Sequence, residues 1–134
     1  MNTRRHILGF LLLAGLSLFS QNRLNAQEFS KSGLTKSWRL EKYYEEGEYY
    51  PPEKNEVKDY FQFNPDMTFT ALMEGELFKG TWMLNTNGAY IEIKYSTGEL
   101  DKLRIKWLGE HSLVVIFDAD YYRYTEVHYL SIKP

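Results

Sequence analysis

Turn signals recur along the chain at Pro65, Gly75, Gly88, Gly98, Gly109 and the Asp118-Ala119-Asp120 step, separated by 10, 13, 10, 11 and about 10 residues. Each interval holds one strand of ordinary length and a tight turn and little else, so the spacing restricts the fold to an antiparallel all-β domain. The segments between the turns alternate with period two and are rich in β-branched and aromatic residues. They read as eight strands: Ser37 to Tyr44, Val57 to Phe63, Thr68 to Met73, Phe78 to Leu84, Ala89 to Tyr95, Leu100 to Leu108, Ser112 to Phe117 and Tyr122 to Ile132. Ala89 to Tyr95 is the cleanest, with Glu92 and Lys94 on one face and Ala89, Ile91, Ile93 and Tyr95 on the other. Helix is confined to a short turn within Ser30 to Thr35.

Sequential antiparallel strands leave two open edges unless the first pairs with the last. Closure removes both, so the expected fold is an eight-stranded antiparallel up-and-down barrel, with a two-sheet β-sandwich as the alternative. The strand phases place Trp38, Leu40, Phe61, Phe63, Phe69, Ala71, Met73, Trp82, Leu84, Ile91, Ile93, Leu103, Ile105, Trp107, Leu113, Val115 and Phe117 inside. In the last strand Tyr122, Tyr124 and His128 compete for the inner face with Arg123, Thr125, Val127 and Tyr129, and a bulge would reconcile the two phases. Lys42 and Asp59 also fall in the inward phase. Two buried charges must pair with each other or meet a ligand, unless a bulge or strand end turns them outward.

Ahead of the strands, Met1 to His6 carries Arg4 and Arg5, Ile7 to Phe19 is an apolar run of 13, and Ser20 to Ala26 is polar and ends on a small residue. This is the order of a signal peptide. The apolar run is shorter than the roughly 20 residues of a spanning helix, so no stable membrane insertion is expected. Cleavage is placed after Ala26, with Ser20 as a weaker site. Thr3-Arg4-Arg5-His6-Ile7-Leu8 also resembles the twin-arginine export motif, whereas the Leu11-Leu12-Leu13 core suits the general route. The expected organisation is a signal peptide over 1–26, a lead-in over 27–36 and the barrel over 37–134, exported to the periplasm or the extracellular space.

Without residues 1–26 the chain carries 13 basic and 18 acidic residues, a net charge of −5. That balance disfavours a generic nucleic-acid surface. With no cysteine the chain has no disulfide, thiol nucleophile or thiolate metal site.

Leu34-Thr35-Lys36-Ser37-Trp38-Arg39-Leu40, Tyr60-Phe61-Gln62-Phe63-Asn64-Pro65-Asp66-Met67-Thr68-Phe69 and Gly80-Thr81-Trp82-Met83-Leu84 resemble the opening strand, second hairpin and fourth strand of the lipocalin-like domain family of small exported bacterial proteins. The likeness spans Gly33 to Lys133 and implies a calycin-type, ligand-binding barrel. Lipocalins have glycine where this chain has Lys36, and a helix after the barrel that this chain lacks. The lipocalin pattern also implies a late-strand arginine over the first-strand tryptophan, here Arg123 over Trp38, with Trp82 as the other structural anchor.

Catalytic groupings are sparse. His6 leaves with the signal peptide, His111 sits in an expected turn beside Ser112, and only His128 lies in a strand, so no histidine metal cluster can be assembled. There is no nucleophile elbow. Glu74-Gly75-Glu76 and Asp118-Ala119-Asp120 match no calcium loop and read as solvated turn acids. No catalytic residue, metal or cofactor is expected.

Charge distribution says more. Loops one, three, five and seven of an up-and-down barrel share one end. They hold Glu45, Glu46, Glu48, Glu53, Glu56, Glu74, Glu76, Glu99, Asp118 and Asp120 against Lys54, together with Tyr44, Tyr49, Tyr50 and Tyr121 and the stiff Pro51-Pro52 step. The field of such a mouth attracts cations or basic proteins and repels carboxylates. The expected function is therefore a non-enzymatic binder of a small hydrophobic, neutral or cationic ligand, lined by Lys42, Tyr44, Asp59, Phe61, Phe69, Met73, Trp107, Tyr122 and Tyr124. The alternative is an inhibitor-like module that captures a basic protein on a rim of Glu45, Glu46, Glu48, Tyr49, Tyr50, Asp118 and Asp120.

Overall fold

The computed structural model describes residues 30–120 and 123–132; the expected signal peptide and Tyr121 and Tyr122 lie outside them. The first element, α1 (Lys31–Leu34), is one turn capped by Ser30, whose hydroxyl accepts the Gly33 N–H at 3.1 Å. Nine strands follow: β1 (Ser37–Glu45), β2 (Glu48–Tyr50), β3 (Tyr60–Phe63), β4 (Thr68–Met73), β5 (Glu76–Asn85), β6 (Tyr90–Tyr95), β7 (Leu100–Leu108), β8 (Ser112–Phe117) and β9 (Glu126–Ile132). From β3 to β9 each strand pairs antiparallel with the next, and β1 pairs with both β3 and β9. The last pairing runs from Ser37 opposite Ile132 to Tyr44 opposite Glu126, which closes the barrel and rules out the two-sheet sandwich. β2 extends the far end of β1 as a hairpin; Glu46 and Gly47 at its turn have φ of 51° and 82°, as do Glu74 and Gly75 between β4 and β5, at 52° and 83°. Two successive positive φ values match the twist of paired strands, and glycine adopts the second without strain.

Strand limits differ from the expected ones in two places. Lys54–Glu56 forms a 3-10 turn in which the Glu56 carboxylate accepts the Glu53 N–H at 3.0 Å, so β3 begins at Tyr60 rather than Val57. Lys58 is thereby added to the loops of the acidic end. At the other terminus β9 begins at Glu126 rather than Tyr122, which leaves Arg123 and Tyr124 in a turn, and Tyr124 is 77% exposed.

Two bulges then redirect side chains. Between Leu40 and Lys42 the register of β1 against β9 slips, and Glu41 becomes an extra residue. Leu40 and Tyr43 consequently both pack on the core, while Lys42 and Tyr44, expected inside, lie outside against Tyr49 of β2. A second slip lies between Ile105 and Trp107. There Leu108 takes the inner position and Trp107 is 55% exposed, its indole N–H donating to the Ser112 hydroxyl at 3.1 Å. In β9 the phase carrying Val127 and Tyr129 faces in, and both are buried.

The core is densest at the end of the barrel near α1. Leu34, Trp38, Phe63 and Trp82 are fully buried there. Trp38 donates its indole N–H to the Leu34 carbonyl at 3.1 Å and Trp82 donates to the Asn64 carbonyl at 3.0 Å, so both polar edges are satisfied where the rings are dry. Lys36 lies with Nζ 5.2 Å from the Trp38 ring centroid and donates to the Glu110 carbonyl at 3.0 Å. It occupies the place expected of Arg123. Trp38 pairs with Ser131 near the end of β9, whereas Arg123 precedes that strand at the opposite end and binds Asp120 at 3.3 Å.

Candidate functional site

The opposite end of the barrel is not filled. A cavity of about 250 Å³ opens there among the loops β1–β3 and β4–β5 and the ends of β8 and β9. Its lining includes the apolar Leu40, Phe61, Phe78, Phe117 and Val127, the acidic Glu56, Asp59, Glu74 and Glu76, and the phenols Tyr43 and Tyr129. No lysine, arginine or histidine lines it among the described residues. Each contribution has a local cause. The Glu41 bulge brings Tyr43 inward, and the 3-10 turn carries Glu56 to where its carboxylate accepts the Tyr43 hydroxyl at 2.6 Å. The tight Glu74-Gly75 turn points the Glu74 N–H at Asp59 Oδ1, 3.0 Å away.

Asp59 is 7% exposed. Burial, reinforced by the charges of Glu56 and Glu74 and opposed by the Glu74 N–H, pushes its carboxyl up to about 6. Tyr129 is held well above the ordinary phenol range, first by burial and then by the negative field of Tyr43, Asp59 and their neighbours.

Of the residues expected to line a site, Asp59, Phe61 and Met73 come together at this cavity. Asp59 does not pair with Lys42, because the β1 bulge has sent the lysine outside. Phe69 is buried beneath the cavity, 6.2 Å from Phe61 between ring centroids, and does not line it. Tyr44, Trp107 and Tyr124 are on the outer surface, and Tyr122 is not among the described residues. Leu40 and Phe117 are assignable to the interior from strand phase, whereas Val127 and Tyr129 belong to one of two phases that the sequence of the last strand leaves in competition. Tyr43 and Glu56 had no such signal, since a bulge and a 3-10 turn place them.

The rim residues Glu45, Glu46, Glu48, Tyr49, Tyr50, Asp118 and Asp120 are all exposed. Tyr49 packs against Tyr44 at 4.8 Å and against His128 at 5.7 Å between centroids, with Lys42 Nζ 4.2 Å from its ring. Tyr50 donates to the Glu48 carboxylate at 3.1 Å, which raises its phenol pKa. Among the described residues no helix is long and apolar enough to cross a membrane.

The model of the lipocalin-like domain matches residues 34–115. No curated protein matches the chain. A similar solved structure is the crystal structure of a DUF4847 family protein from Bacteroides vulgatus ATCC 8482, which is 13% identical over 75% of this chain and 95% of its own, with a TM-score of 0.53. At that identity the likeness concerns the fold. The family match covers β1 to β8 almost completely, the strands that carry both the packed end and most of the open one. Strand order, closure and sequence thus converge, and the chain belongs to the lipocalin-like domain family.

Proposed function

We propose that this protein is a non-enzymatic binder of small molecules, taking an apolar ligand of neutral or positive charge into the cavity at the open end of the barrel. The observation that supports it is a lining that combines apolar and acidic side chains without a basic one among the described residues. Burial of apolar ligand surface supplies affinity, and a few fixed polar groups supply orientation. The test is a panel of neutral and cationic fragments of about ten non-hydrogen atoms, sized to the cavity, titrated into labelled protein and read by NMR. Binders should shift the resonances of Leu40, Phe61 and Val127, and Met73→Trp, which fills the mouth, should abolish those shifts. Shifts confined to the outer wall, or unchanged in Met73→Trp, would overturn the reading.

A second reading, capture of a basic protein on the rim, is favoured by apolar side chains exposed among the acids: Tyr49, Leu77, Leu100 and Tyr124. Acidic fields steer encounter, and exposed aromatics supply contact area. We also propose export, supported by Arg4 and Arg5 ahead of the apolar run Ile7 to Phe19. Terminal sequencing of protein from its host should find Gln27 first, and an intact Met1 in the membrane fraction would overturn it.

A further inference from the structure

We propose that the ligand is a small protonated amine bearing an aromatic tail, its ammonium seated on the Asp59 carboxylate; this rests on the small-molecule reading above and names its ligand class. Asp59 is more than nine-tenths buried, yet its carboxylate makes one hydrogen bond among the described residues, from the Glu74 N–H to Oδ1. A carboxylate has about four acceptor sites, and those of Asp59 that the chain leaves unused are on the cavity wall. Tyr129, 5% exposed and lining the same cavity, has a hydroxyl without a hydrogen-bond partner among the described residues. An ammonium has three donors and no acceptor, which matches two buried groups that can both accept.

The surroundings narrow the choice. Glu56 from the β1–β3 loop and Glu74 and Glu76 from the β4–β5 hairpin face the cavity, so a carboxylate or phosphate ligand meets only repulsion. The apolar residues that share the lining with these acids suit an organic cation. Phe61, Phe78 and Phe117 supply rings against which an aromatic tail can pack, and Tyr43 lines the cavity beside Glu56, to which its hydroxyl donates. A volume of about 250 Å³ equals roughly eight waters at liquid density. One aromatic ring, a two-carbon spacer and a nitrogen fit it.

The experiment is calorimetric titration of the protein with 2-phenylethylamine, 2-phenylethanol and 3-phenylpropanoate, which differ only in the head group. At pH 7.5 the amine should bind at least tenfold tighter than the alcohol, and the carboxylate weakest. Asp59→Asn keeps the acceptor for the Glu74 N–H and should bring the amine within about threefold of the alcohol, leaving the alcohol unchanged. From pH 7.5 to 5 the affinity of the unmodified protein for the amine should fall several-fold and that for the alcohol should not, because the carboxyl, held near 6 beside Glu56, Glu74, Glu76, Tyr43 and Tyr129, takes up a proton in that interval. That profile decides the matter if Asp59→Asn does not fold. Equal binding of amine and alcohol, a flat pH profile, an amine affinity insensitive to Asp59→Asn, or no binding by any of the three overturns the amine assignment. The small-molecule reading falls only if the NMR fragment panel fails as well.

Discussion

Trp38 and Trp107 are the same residue type at the same strand phase by sequence, and their surroundings set opposite expectations for substitution. Trp38 and Trp82 fill the packed end with satisfied indole N–H groups, so alanine at either should cost on the order of 3–5 kcal/mol. Trp107→Ala loses an exposed ring and one surface hydrogen bond, and about 1 kcal/mol or less is expected. Chemical denaturation of the three variants checks the contrast, and a severe loss at Trp107 would contradict its placement. Asp59 acts through pH instead. Its carboxyl titrates at about 6 in the fold against 3.8 when open to water, so between those values the folded state binds the additional proton. Stability from this group is full below about pH 4 and is lost as pH rises through 6. Asp59→Asn should therefore be more stable than the parent above pH 6 and lose that advantage towards pH 4, as measured by melting temperature across the range.

At the scale of the strand, alternation in β3, β4 and β6 was readable because each has one dry face. The two bulges were not, since one extra residue preserves the local period on either side and reverses the face across it. That is why Lys42 and Tyr44 were placed inside and Tyr43 was passed over. Deleting Glu41 removes the extra residue and leaves Leu40 opposite Tyr129, Lys42 opposite His128 and Tyr43 opposite Val127 in uninterrupted register, so a retained cooperative melting transition is the expected result and its loss would contradict the bulge. At Gly80 of β5 an added Cβ would run into the Lys94 carbonyl oxygen. Backbone cannot yield as a flexible side chain does, so Gly80→Ala should destabilise the barrel by about 2 kcal/mol or more, whereas alanine at the exposed Thr97 should change little. Comparable denaturation midpoints for the two would refute the close approach.

Across the whole molecule, the acidic rim was legible because an up-and-down chain sorts odd and even loops to opposite ends. The balance of charge at that end was less so, as Lys58 and Arg123 were read into strands and stand instead in turns. Reversing Glu45, Glu46 and Glu48 to lysine should leave the melting temperature almost unchanged, because exposed charges contribute little to stability. The same triple variant should lose any basic partner that the parent recovers from host extracellular fluid at low salt, and high salt should release that partner from the parent. Equal recovery in all four conditions would set the rim reading aside and leave the cavity alone.

The seam between β1 and β9 joins Ser37 to Ile132, whereas the other pairings in the closed ring join consecutive strands, or β1 and β3 across the β2 hairpin. Loop-closure entropy makes such a contact the slowest to form, and contact order ties the overall rate to it. Until the seam zips, β1 and β9 are two bare edges on the same molecule, each as ready to pair with a second copy as with the other. Refolding should thus be fast in forming hairpins, slow in its last phase, and concentration-dependent in yield, with the interval before the final pairing setting how much of the chain is lost to strand exchange.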